Sequence, residues 1–112
     1  MAQVRISDSL REEIVKKFKG DSVEIFRLMK TLESNPKRGK ELGTVAGILV
    51  KELRYGVFLF YFITDGHILK FGSEDELVNL LIKFVRMSEK RDQQKVIDHI
   101  KDILKSMGFE AF

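Results

Sequence analysis

The chain has 112 residues, a net charge of +3 and no cysteine; this suits one domain, 1–112, burying roughly two-thirds of its unfolded surface, and excludes disulfides, zinc ribbons and thiol nucleophiles. The longest apolar run, Val57 to Ile63, is far short of the roughly 20 residues that span a bilayer, and the basic N-terminus lacks a signal-peptide core, so a cytoplasmic protein without a membrane partner is expected. His67 and His99 alone do not complete a metal site, no cofactor is expected, and the charge is too small to announce nucleic acid by itself.

Val4 and Ile6 alternate with polar neighbours, which predicts a short strand. Ser9 and Glu12 have capping-box spacing, and Leu10, Ile14 and Phe18 then recur every four residues until Gly20. Asp21 with Glu24 restarts the pattern, placing Val23, Phe26, Met29 and Leu32 on one face before Asn35-Pro36 stops it. The polar stretch Lys37 to Thr44, with two glycines, reads as a connector.

Gly47 to Arg54 alternates well enough for a strand, and Tyr55-Gly56 gives a turn before Val57 to Thr64. Seven consecutive apolar residues leave that strand no polar face, so it should be central and covered on both sides. Asp65-Gly66 is the chain's strongest hairpin signal, predicting that His67 to Phe71 returns antiparallel. The run Leu80 to Arg86 reads as another strand, with Glu76 to Leu81 open between helix and strand. Ser88 is positioned to cap a last helix whose stripe is Val96, Ile100, Ile103 and Met107, ended by Gly108.

Charged residues make up 33% of the chain, above the usual value of about 25%; with scarce Asn, Gln and Cys this suggests a thermophilic origin. Met1 to Thr44 holds ten Lys/Arg against seven Asp/Glu, whereas the chain after Arg91 holds three against four. The basic excess lies toward the front.

Three segments read together resemble the HigB-like branch of the RelE/ParE toxin superfamily. Phe26 to Pro36 resembles its second helix and proline exit. Lys51-Glu52-Leu53-Arg54, followed by an aromatic strand ending before Asp65-Gly66, resembles its Glu-Leu-Arg strand and hairpin. Lys83 to Arg91 resembles its basic loop leading into a helix. The resemblance covers about Val23 to Ile100 and implies an α+β fold: an N-terminal strand and two helices packed on an antiparallel sheet, with an amphipathic C-terminal helix.

Members of this group include ribosome-dependent mRNA endonucleases silenced by a cognate antitoxin. The resemblance therefore implies an antitoxin, mRNA and the ribosome as partners of a monomer or homodimer, and metal-independent attack of a ribose 2′-hydroxyl on the adjacent phosphate. That reaction needs a proton acceptor, fixed cations and a proton donor. Carried over by position, Lys51, Arg54, Lys83 and Arg86 are the catalytic candidates, and Lys90 and Arg91 the RNA-binding ones; Tyr61 is a further RNA-binding candidate, as an aromatic ring able to stack on a base.

Two positions depart from the family: Leu59 and Met87 stand where basic residues are expected, and Ile68 to Asn79 looks inserted. The alternative reading is thus a non-catalytic module that binds RNA, the ribosome or a protein on the same fold. Plainer readings stand beside these: solvent-facing strand cations that discourage edge pairing, a Tyr61 packed in the core, and a Lys37 to Lys40 run that is solvated rather than gripping phosphate. Lys51 and Arg54, three positions apart, should point to opposite faces of a regular strand.

Overall fold

A computed structural model describes residues 1–112. The elements in chain order are β1 (Gln3–Ile6), α1 (Asp8–Phe18), α2 (Ser22–Lys30), β2 (Lys40–Val45), β3 (Ile48–Tyr55), β4 (Phe58–Asp65), α3 (Gly66–Phe71), α4 (Glu74–Val78), β5 (Leu81–Glu89) and α5 (Gln93–Met107), with single 3-10 turns at Lys19–Asp21, Thr31–Glu33, Lys90–Asp92 and Phe109–Ala111. The five strands form one sheet in the order β1-β5-β4-β3-β2. It is α+β, but the sheet is mixed rather than antiparallel: β1 runs parallel to β5, while the other pairs are antiparallel.

β4 is the middle strand, as its unbroken apolar run predicts. Phe60 and Phe62 enter one core with Leu10, Ile14, Ile25 and Met29 from α1 and α2. Leu59, Tyr61 and Ile63 enter a second core with Ile97, Ile100 and Leu104 from α5. Both faces are therefore dry, and alternate residues of β4 serve opposite layers.

Several local expectations are corrected. Ser7, not Ser9, caps α1, accepting from the Leu10 amide at 3.3 Å. In α2 the buried positions are Ser22, Ile25 and Met29, while Val23 is exposed. The stretch taken as a connector supplies the edge strand β2, joined to β3 by a two-residue turn in which Ala46 (φ 50°) and Gly47 (φ 84°) both have positive φ, the pattern of a type I′ hairpin.

Asp65-Gly66, by contrast, starts a helix. The Asp65 carboxylate accepts the Ile68 amide at 2.9 Å as an N-cap, and Gly66 lets the backbone approach the Gly47 carbonyl, where a Cβ would stand 3.1 Å away. Asp-Gly suits both roles locally; here the tertiary approach of the β2–β3 turn selects the cap. His67 to Phe71 is α3; of the segment Glu76 to Leu81, the first three residues close the short helix α4 (Glu74–Val78) and Leu81 opens β5.

Ser88 lies in β5 and caps nothing; α5 begins five residues later, after the turn Lys90–Asp92. Its buried stripe is Ile97, Ile100 and Leu104, so Met107 is exposed. The pairing of β5 with β4 also slips at Val85: Phe62 faces Phe84, whereas Tyr61 faces Arg86. This bulge reverses the strand's parity. Ile82 and Phe84 face α1 and α2, yet Arg86 joins Tyr61 on the α5 side, and Met87 packs against the first core.

No helix is long and apolar enough to cross a membrane.

Candidate functional site

Period-two alternation on β3 puts Val50, Glu52 and Arg54 on the α5 side and Leu49, Lys51 and Leu53 on the other. Beside Glu52 and Arg54, the loop before β2 brings Arg38, Gly39 and Lys40, and the entry to α5 brings Lys90 and Gln93. With Leu53 and Leu59 these residues line an open cleft of about 440 Å³. Arg38, Lys40, Arg54 and Lys90 are exposed, and none makes an ion pair.

Glu52 is the one carboxylate of the cleft. It is 5% exposed and accepts a hydrogen bond from Gln93 Nε2 at 2.8 Å. Gln93 is the first residue of a 15-residue helix, so the positive end of that helix's dipole also lies at the cleft. A buried carboxylate held by a single neutral donor, with four unpaired cations around it, has the composition of a site that binds phosphate and accepts a proton.

The loop is placed by contacts on both faces. Gly39 has φ 104°, and a Cβ there would lie 2.9 Å from both the Glu52 carbonyl and the Phe62 ring. Only glycine combines that dihedral with that approach. Arg38 Nη1 donates to Thr31 Oγ1 at 3.1 Å. From the opposite face, Lys51 Nζ donates to the Lys37 carbonyl at 2.9 Å.

The residues singled out in the sequence do not assemble into one site. Arg54 and Lys90 share the cleft. Lys51 is on the other face, 2% exposed, with its ammonium 5.8 Å from the Phe62 ring centre. Burial lowers its pKa; Lys70 lowers it further, and Glu41 opposes the shift. It borders a small hollow with Lys37, Glu41, Leu69 and Lys70.

Arg86 lies half-buried in a separate groove, donating to the Val85 carbonyl at 2.7 Å and stacking on Phe112 at 5.1 Å. Arg91 borders that same groove, paired with Glu89 and Asp92 at 3.6 Å each. Lys83, half-buried, faces Ile63 across the ladder and borders neither cavity. Tyr61 is fully buried, its hydroxyl 2.7 Å from Ser88 Oγ; burial raises its pKa, with Glu52 and Asp92 adding to the rise and the Ser88 hydrogen bond opposing it. In this position the ring has no open face on which a base could stack. Leu59, at the position of the family's arginine, is a core residue that also lines the cleft.

Sequence reasoning singled out neither Glu52 nor Gln93. For Glu52 the signal was present: it lies two positions before Arg54 on an alternating strand and so shares its face. Gln93 has no such signal, because its place depends on where α5 docks.

No protein family, no curated protein and no solved structure matches this chain.

Proposed function

We propose that this chain is a toxin-like, metal-independent RNA endonuclease of the RelE/HigB kind, acting on mRNA at the ribosome and held silent by an antitoxin. The observation that carries the reading is the cleft around Glu52, where one nearly buried carboxylate is ringed by four unpaired cations. In this reading Glu52 takes the proton of the ribose 2′-hydroxyl as it attacks the adjacent phosphate. Arg54 and Arg38 hold the phosphate oxygens through their planar forks and offset the charge that develops there. The leaving 5′-oxygen takes its proton from Lys90 or Lys40, since an ammonium releases a proton and a guanidinium does not.

The test is cleavage of an mRNA by the purified chain with ribosomes, read by mapping the new ends and the 2′,3′-cyclic phosphate. Glu52→Gln should lower the cleavage rate about 100-fold or more while RNA stays bound. Arg54→Ala or Lys90→Ala should weaken binding and reduce the salt dependence by about 0.7 per lost phosphate contact on a single strand. Tight, salt-dependent RNA binding without cleavage would select the second reading, a non-catalytic RNA-binding module, which the apolar Leu59 favours. No binding at low salt and normal growth on induction would sink both.

A further inference from the structure

We propose that the outer edge of β5, from Arg86 to Glu89, is a docking groove for an extended acidic polypeptide segment that joins the sheet as a sixth strand. This surface is separate from the Glu52 cleft, and the proposal does not rest on the catalytic reading.

The groove arises because β1 is too short for its neighbour. β1 pairs only with Leu81 to Phe84, and the chain then turns away into α1 after the Ser7 amide meets the Phe84 carbonyl at 2.9 Å. β5 continues to Glu89, paired on its inner side to β4 as far as Phe58. Its last four residues therefore have a strand on one side only. The edge lies in a groove of about 730 Å³ walled by Glu13 and Lys17 of α1 and by Lys95, Val96 and His99 of α5. Arg86 Nη1 supplies a donor to the Val85 carbonyl at 2.7 Å, the kind of bond a neighbouring strand would otherwise give.

Protein sheets protect open edges with bulges, charges or cover. The opposite edge, β2, is protected: its register shifts between Glu41 and Gly43, and the Lys101 ammonium lies over Gly43. The β5 edge is instead recessed between two helices and left open. Four residues at about 3.4 Å each give roughly 14 Å of ladder, within the ordinary range of strand lengths.

Charge specifies the occupant. Arg91 is paired with Glu89 and Asp92 at 3.6 Å each; with Lys17, Arg86 and Lys95 against Glu13 the groove holds four cations to three carboxylates, and Lys17 and Lys95 are exposed without an ion pair. Lys17 stands 5.2 Å over the Phe58 ring, and Phe58, Met87 and Val96 give the groove its apolar surface. Carboxylates with intervening apolar side chains match that lining. A polypeptide also fits the edge better than a nucleic acid does, because its own alternating N–H and C=O groups repeat at the spacing of a strand edge, whereas phosphodiester oxygens only accept.

The probe is a fluorescein-labelled Glu-Val-Glu-Val-Glu-Val-Glu peptide titrated into the full chain at low salt, beside its fully N-methylated form and a lysine counterpart. The acidic peptide should bind at least tenfold tighter than either and should slow amide exchange at Met87 to Glu89. The double variant Lys17→Glu with Lys95→Glu should weaken it at least tenfold in a chain that still unfolds cooperatively, since both side chains are exposed. Equal binding of the N-methylated or lysine peptide, or no binding at millimolar concentration, would overturn the proposal. So would an oligoribonucleotide that protects these amides where the peptide does not. The peptide arms contain no RNA, so their failure leaves the Glu52 cleft to its own test.

Discussion

Lys51 and Arg54 lie three residues apart on β3 and meet opposite fates. Arg54 is exposed in a cleft with Lys40, Lys90 and Glu52. Lys51 is 2% exposed beneath the Lys37 to Lys40 loop, with a carbonyl and a phenylalanine ring as its nearest partners. The two faces of the sheet thus use basic residues differently: one gathers them unpaired around a carboxylate, the other buries one to tie down the loop that borders the first. A basic strand residue is available to a ligand only if strand parity puts it on the open face. Parity removes only Lys51 from the apparent set of Lys51, Arg54, Lys83 and Arg86; Lys83 and Arg86 share the α5 side with Arg54 but stand on β5, outside the cleft.

Gly39 joins the two faces, so its substitution gives the largest effect on this comparison. A methyl group there meets the Glu52 carbonyl and the Phe62 ring, and the φ of 104° disfavours any side chain. Gly39→Ala should cost about 1–3 kcal/mol of stability and, by displacing Arg38 and Lys40, weaken RNA binding as well. Urea unfolding and an RNA titration measure the two losses. A variant that loses stability yet binds RNA as before would remove the loop from the cleft's function.

Tyr61→Phe tests whether the buried ring belongs to the fold or to the site. Its hydroxyl bonds Ser88 Oγ, which is also 2.9 Å from the Glu89 carbonyl, so the loss should be about 0.5–1.5 kcal/mol. RNA affinity should not change. Weaker RNA binding at unchanged stability would mean that α5 lifts and exposes the ring to ligand.

The parts of this molecule legible in its sequence are those fixed by local pattern. The apolar run of β4 marks it as central, and the Lys51/Arg54 spacing marks opposite faces. Asp65-Gly66 was misleading because the same dipeptide makes a hairpin turn or an N-cap, and only the approach to Gly47 decides between them. The bulge at Val85, which no local signal marks, puts Arg86 on the same side of the sheet as Lys83 although the two are three residues apart. The site is half legible: Arg54 and Lys90 stand in basic segments, and Glu52 shares the face of Arg54 by alternation, whereas Gln93 enters only through the docking of α5.

The smallest effect expected is a change of slope at alkaline pH, and it separates Lys51 from Arg54 most directly. Burial lowers the Lys51 pKa from 10.5, so the folded chain gives up this proton before the unfolded chain does. Between the lowered value and 10.5 the unfolded state binds more protons, and stability rises with pH. Tyr61 works the other way: its folded pKa is raised above 10.0, so above that pH the unfolded state loses the proton first and stability falls. Lys51→Met keeps the length of the side chain and removes the rise alone. Unfolding by urea from about pH 8 to 10.5 should therefore show a flatter or more steeply falling curve for the variant than for the parent chain, whereas Arg54→Met should leave the curve as it is. Coincident curves for the Lys51 variant and the parent would mean that the ammonium reaches water, and the contrast between the two faces would then lose its basis.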